Sequence, residues 1–265
     1  ESDSDICRYN NGPAGSTHAL APEFLRVLEC ALEWAEASQG AIDPTVGPLI
    51  GLWGFGAHAR PAVQPAVGEL RVARRRVGWR KVQLDTHAAT VRQPGGVELD
   101  LSGIAKGFAV DHACSALQEL GLQNFVLEVG GEVRASGKRP DGRPWRIQIE
   151  ASKGHTWSVG LSDMSIATSG DRWHTHTEQG HRWSHTIDPR TGEPSDGHSL
   201  ASVSVLHSEC MQADALATLL AVLGPTEGMT FAQEHQIAAL FAVRERGDAL
   251  TLLKSPRWPS SISTA

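Results

Sequence analysis

The clearest pattern in the chain runs from Pro22 to Gln39, where Phe24, Leu25, Leu28, Ala31, Leu32 and Ala35 return at helical spacing. Pro22 suits a first helical turn and Gly40 suits the residue beyond a C-cap, so the spacing predicts a helix here. The stretch ahead of it, Glu1 to Thr17, is polar and rich in Gly, Ser and Asn, and reads as a lead-in loop. Asp43 to Pro65 is punctuated by Gly and Pro and is too irregular for a long helix. A short basic helix is expected around Glu69 to Val77, followed by strands at Arg80 to Leu84, Thr90 to Arg92 and Val97 to Leu101. The second half alternates more clearly. Helices are expected at Phe108 to Leu120, Met211 to Leu223 and Thr226 to Glu234, with Gly224-Pro225 ending the second of these. Strands are expected at Phe125 to Val129, Trp145 to Glu150, Ser158 to Leu161, Ser165 to Thr168 and Ser184 to Ile187. Three more are expected at Ala201 to Leu206, Ala238 to Val243 and Ala249 to Leu252. Strands arrive in runs and hairpins between isolated helices, which predicts an α+β fold with a mostly antiparallel sheet core and flanking helices. No solenoid repeat or long linker breaks the pattern, so a single domain over residues 1–265 is expected.

Composition adds limits. With 265 residues, 40% hydrophobic and 20% charged, the chain can bury a sizeable core. A net charge of −6 with no basic face in the count argues against nucleic acid or an anionic membrane surface as the main partner. Uninterrupted apolar stretches fall far short of the roughly 20 residues of a membrane span, and no signal peptide is expected within these residues. Cys7, Cys30, Cys114 and Cys210 are scattered without a CxxC pair, so buried or incidental thiols are expected rather than a zinc site or a disulfide framework.

Several segments could carry chemistry. VELDLSGIAKGFAVD, Val97 to Asp111, sets an acid at a strand end, a Gly-rich turn and Lys106 at the opening of a helix. Exposed N–H groups, a helix N-terminus and a cation together favour a phosphate, although the same segment serves as a plain strand–turn–helix corner. Its glycine spacing is neither a P-loop nor a dinucleotide fingerprint. Asp214 and Thr218 stand at i and i+4, so their oxygens share one helix face. Such a pair suits a hard cation such as Mg²⁺, and equally a carboxylate that complements the helix dipole. Histidines crowd residues 174–198, where a transition-metal site competes with exposed loop histidines. Among them His185 precedes the turn Asp188-Pro189-Arg190-Thr191-Gly192 and could serve as a general base. LWGFG, Leu52 to Gly56, reads first as core packing of Trp53 and Phe55.

Six segments then stand in a telling order: GAIDPTVGPLIGLWGFG, ELDLSGIAKGFAVD, VLEVGGEVRASG, SIATSGDR, SHTIDPRTG and ADALATLLAVLG. In order and spacing they resemble the FAD:protein FMN transferases, the ApbE-type flavin transferases, over nearly the whole chain. The resemblance implies an ApbE-like fold and an enzyme that uses FAD and Mg²⁺. It implies transfer of FMN to a threonine of an acceptor flavoprotein as a phosphoester, with AMP released. It also implies a bacterial protein on the periplasmic or exported side of the inner membrane, with membrane anchoring through sequence ahead of Glu1. Carried over by position, the backbone around Ala41, Ile42 and Asp43 contacts the flavin nucleotide, and Asp100 and Lys106 bind FAD. The Gly103 carbonyl with Asp214 and Thr218 holds the metal. His185 and Ile187 match an HxID segment beside the FAD, with His185 as the base. The family carries a further N-terminal segment with a flavin-touching S-x-Y-like motif, which falls just before Glu1, so a truncated chain is expected. FAD hydrolysis, with water in place of threonine, and FAD binding without turnover are the alternatives.

Overall fold

The computed structural model describes residues 3–56, 64–152, 155–170, 175–178, 181–195, 199–245, 249–259 and 263–264. The chain divides into two compact units: Glu1–Ser102 with His176–Pro194, and Gly103–Thr175 with Ser195–Ala265.

In the first unit, the helix Pro22–Ala37 buries Val27, Leu28, Cys30, Ala31 and Ala35. The N–H of Gly40 returns to the Ala35 carbonyl at 2.8 Å, a closure that the left-handed backbone of Gly40 (φ 88°) permits. A small antiparallel sheet orders Thr17–Ala19, Thr90–Arg92 and Gln83–Asp85 beside this helix's core of Tyr9, Leu20, Leu28, Val91, Val97 and Leu99. The stretch expected to be a lead-in loop contains a helix, Asp5–Asn10, capped by Ser4 and anchored by the fully buried Tyr9. One aromatic anchor in a polar segment leaves no periodicity to read. Val97–Leu101 is not a strand, although Val97, Leu99 and Leu101 are buried in alternation. Side chains take the ladder's place there. Asn10 bonds both the N–H and the carbonyl of Leu99, at 2.7 and 2.9 Å, and Gln93 Nε2 donates to the Val97 carbonyl at 3.0 Å. The strand expected from Arg80 is also displaced, because Trp79–Lys81 winds into a 3₁₀ turn and only Gln83–Asp85 pairs.

A second cluster in this unit packs Leu49, Trp53, Ala73, Val77 and Ile187 between the helices Gly47–Leu52 and Val67–Arg74 and the strand Ile187–Asp188. The single strand expected over Ser184–Ile187 is split. His181–Ser184 ends where the Thr186 N–H turns onto Ser184 Oγ at 3.1 Å, and Ile187–Asp188 pairs instead with Glu193–Pro194.

The second unit is built on a six-stranded antiparallel sheet. Its order is Leu250–Lys254, Ala238–Arg244, Leu200–His207, Met164–Gly170, Glu132–Ser136 and Phe125–Val129. The sequence pattern missed Glu132–Ser136, which returns from Phe125–Val129 through Gly130 and Gly131 at φ 63° and 99°. Leu200–Leu206 is buried at every position, since the helical run Cys210–Glu234 and the strand Trp145–Ser152 both pack against it. That run breaks where expected, at Gly224 (φ 71°) before Pro225. It is long and apolar enough to pass for a membrane span, but most of it lies in this unit's core. A smaller antiparallel sheet of Ser263–Thr264, His155–Leu161 and Trp145–Ser152 completes the core with Ile149, Trp157, Val159 and Leu161. All four cysteines are free thiols, three of them buried, as expected.

Candidate active site

In the second unit, Lys106 stands in the first turn of the helix Ala105–Glu119, followed by Gly107. A Cβ at Gly107 would lie 2.3 Å from the Cys210 carbonyl oxygen and 2.8 Å from Asp214 Cβ. Only glycine therefore lets this helix come so close to Cys210–Glu234. The approach puts the Gly107 N–H on Asp214 Oδ2 at 2.9 Å and Lys106 Nζ on Asp214 Oδ1 at 3.3 Å. Lys106 Nζ also donates to Glu132 Oε1 at 2.7 Å. Glu132 and Asp214 are each only 3% exposed. Burial pushes the pKa of Asp214 up, against the pull of Lys106 and the Gly107 N–H. Burial raises Glu132 too, with repulsion from Asp214 added. Burial works to lower Lys106, but the two carboxylates outweigh it and hold the ammonium above its ordinary value. The three side chains form one coupled charge cluster.

One helical turn beyond Asp214, Thr218 Oγ1 lies 3.5 Å from the Gly103 carbonyl oxygen. The structure thus brings Gly103, Lys106, Asp214 and Thr218 into one unit and adds Glu132, which the sequence reading assigned no role. Its signal was present in VLEVGGEVRASG, where paired glycines turn an acid into the start of the next strand. Gly103, Asp214 and Thr218 offer a carbonyl, a carboxylate and a hydroxyl, and Glu132 Oε2 is buried with no partner among the described residues. The all-oxygen donor set of Gly103, Asp214 and Thr218 fits a hard divalent cation such as Mg²⁺.

In the first unit, Asp43 acts on its own backbone. Its Oδ1 accepts from the Thr45 N–H at 2.8 Å and Thr45 Oγ1 at 2.6 Å, and its Oδ2 accepts from the Trp79 N–H at 2.9 Å. Burial raises the Asp43 pKa, while these bonds and Lys81 oppose the shift. The carboxylate fixes the course of the chain beside Ala41, which is buried, and Ile42, which is half-buried. The Asp100 N–H donates to the Pro44 carbonyl at 2.7 Å, joining Asp100 to that segment, and Asp100 Oδ1 accepts from the Ser102 N–H and hydroxyl at 2.9 and 2.6 Å. The His185 ring lies edge-on to Phe55 with centroids 6.4 Å apart. Ile187 is buried in the Leu49–Trp53 cluster. The following turn is braced by the Asp188–Arg190 ion pair at 2.9 Å and by Trp53 Nε1 on the Gly192 carbonyl at 2.9 Å. Trp53 packs in the core, as its sequence context suggested. Of the histidine-rich stretch, His174 and His198 lie outside the described residues.

A model of the ApbE family matches residues 1–241. The chain belongs to the ApbE family. It is 40% identical over 246 residues to a FAD:protein FMN transferase of Vibrio cholerae, covering 91% of this chain and 73% of that protein. It is 39% identical over 251 residues to one from Haemophilus influenzae, covering 91% and 72%. Among solved structures, the apo form of Pseudomonas stutzeri flavinyl transferase ApbE matches with a TM-score of 0.88 and 37% identity, over 97% of this chain and 80% of that one. The flavin transferase ApbE from Vibrio cholerae matches with a TM-score of 0.87 and 37% identity, over 97% and 82%. The α+β fold with antiparallel sheets is the ApbE fold.

Proposed function

We propose that this ApbE-family chain transfers FMN from FAD to a threonine hydroxyl of an acceptor protein. The observation that carries the reading is the Lys106–Glu132–Asp214 cluster at a helix start, an exposed ammonium on two buried carboxylates, in a chain whose relatives are named FAD:protein FMN transferases. The threonine oxygen attacks the FMN-side phosphorus, a phosphoester bond forms, the pyrophosphate linkage breaks, and AMP leaves. Lys106 and the helix N–H groups around it suit the negative oxygens of a pyrophosphate. Mg²⁺ held by the Gly103 carbonyl, Asp214 and Thr218 would supply charge neutralisation to that group. His185 is assigned the hydroxyl proton, since imidazole is the side chain best matched to that transfer near neutral pH. The backbone at Ala41, Ile42 and Asp43, with Asp100 and Ile187, is assigned to the flavin nucleotide. The same resemblance supports placing the protein on the exported side of a bacterial inner membrane, tethered by an N-terminal anchor.

Incubation with FAD and Mg²⁺, with and without a threonine-bearing acceptor, tests the reading by nucleotide analysis. AMP released only with acceptor, together with a flavin-labelled protein, is the expected result. AMP and free FMN without acceptor would show hydrolysis instead, and intact FAD in both would show binding without turnover.

A further inference from the structure

Glu132 is a buried acid with only half of its carboxylate satisfied. Oε1 accepts from Lys106 Nζ, while Oε2 is buried without a hydrogen-bond partner among the described residues. Leaving a buried acceptor unmade is costly, so a persistent orphan points to a donor that arrives in another state of the site. Lys106 is well placed to be that donor. A Cβ at Gly130 would stand 3.5 Å from both Glu132 Oε2 and Lys106 Cδ, so the two groups flank the same glycine turn. The ammonium has three donors, and the bond it gives Asp214 is the longer of its two, 3.3 Å against 2.7 Å.

We propose that Glu132 is a positioning residue that takes over Lys106 when a divalent cation takes the Asp214 carboxylate. The proposal rests on the metal reading above. Lys106 and the cation are rivals for one carboxylate, and two positive charges there repel each other. The cation binds only as far as the ammonium moves off Asp214 Oδ1. Glu132 gives it somewhere to go, because Oε2 can accept the N–H that leaves Asp214. Lys106 then keeps two charge-assisted bonds and stays at the helix start. Asp214 does not follow the lysine, because the Gly107 N–H holds its Oδ2 at 2.9 Å.

Calorimetric titration with Mg²⁺ alone, on the unsubstituted protein, Glu132→Gln, Lys106→Met and the double variant, tests this. Glu132→Gln keeps the shape of the side chain but strands Lys106 on Asp214, so Mg²⁺ is expected to bind about 10–100-fold more weakly, the range seen when groups that orient metal ligands are removed. Lys106→Met removes the rival and is expected to bind Mg²⁺ at least as tightly as the unsubstituted protein. The double variant is expected to match Lys106→Met. Wild-type affinity in Glu132→Gln overturns the proposal. So does an equal loss in the Lys106→Met background, since Glu132 would then act on the cation through its own charge. Should Glu132→Gln not fold, Glu132→Asp withdraws the carboxylate by one methylene, and its weaker loss must likewise vanish with Lys106→Met. No Mg²⁺ binding by the unsubstituted protein overturns the metal reading itself, and this proposal with it.

Discussion

Asp111 caps the helix that begins at Cys210, ninety-nine residues further along the chain. Its Oδ1 accepts from the Cys210 N–H at 3.0 Å and its Oδ2 from the Met211 N–H at 2.9 Å, while Arg134 pairs with the same carboxylate. Glu209, the residue at the helix's own N-cap position, supplies no side-chain bond there. A distant carboxylate thus satisfies donors at the start of the helix that carries Asp214 and Thr218.

Asp111→Asn is therefore expected to destabilise the protein by about 1–3 kcal/mol, the cost of weakening charge-assisted bonds to buried N–H groups. Urea unfolding measures it. An unchanged midpoint would show that the cap contributes nothing to stability.

Gly107→Ala tests the closeness of the two helices. The added methyl would meet the Cys210 carbonyl and Asp214 Cβ, both parts of a packed helix that cannot swing aside. A loss of about 1–3 kcal/mol is expected from overpacking. Thermal unfolding should show it, together with weaker Mg²⁺ binding, because the Gly107 bond to Asp214 must lengthen. A variant with wild-type melting temperature and metal affinity would mean that the helices have slack.

How much of this was legible in the sequence depends on whether the signal was local. The helices Pro22–Ala37 and Ala105–Glu119 and the break at Gly224 follow from periodicity and from glycine and proline chemistry, and the structure has them. Val97–Leu101 shows the limit. Alternation reported which residues are buried, but strand pairing needs a partner, and here Asn10 and Gln93 side chains stand in for one. At the site, Lys106 could be suspected from its helix-opening position and Asp214 with Thr218 from their spacing. The backbone around Ala41, Ile42 and Asp43 was singled out by resemblance alone, and what no local pattern announced is that the Asp43 carboxylate ties that backbone to Thr45 and Trp79. Glu132 and Asp111 went unassigned because their roles exist only across 26 and 99 residues of sequence separation.

Asp214→Ala is expected to abolish metal-dependent turnover with the fold retained, and Thr218→Ala to weaken it less. A carboxylate brings charge to a cation that a hydroxyl cannot replace. Mg²⁺ titration in the presence of FAD compares the two. Unchanged metal affinity in Asp214→Ala removes Asp214 from the cation site.

His185→Ala is expected to keep FAD and Mg²⁺ binding but to lose about 10²–10⁴-fold in transfer, the usual contribution of a positioned general base. Transfer at near wild-type rate would place the base elsewhere.

Tyr9 offers a test of the fold that is independent of the chemistry. It is the only tyrosine in the chain, its side chain is fully buried, and its hydroxyl has no hydrogen-bond partner among the described residues. Burial pushes its pKa from 10.0 up to about 12. The neutral phenol is thus favoured in the folded chain, and the unfolded chain releases the proton first. Its contribution to stability is fully present below pH 10 and is lost as pH rises from 10 to about 12, by roughly 1.4 kcal/mol per unit. With a single tyrosine, near-ultraviolet tyrosinate absorbance reads this group alone. The folded protein should show no tyrosinate at pH 10.5, whereas the urea-unfolded protein should already be more than half ionised. Tyr9→Phe should be neutral to slightly stabilising near pH 7, because it removes an unsatisfied buried hydroxyl, and should flatten the alkaline loss of stability. Tyrosinate appearing near pH 10 while the far-ultraviolet circular dichroism stays native would show that water reaches the hydroxyl. The helix Asp5–Asn10 would then lack the anchor assigned to it.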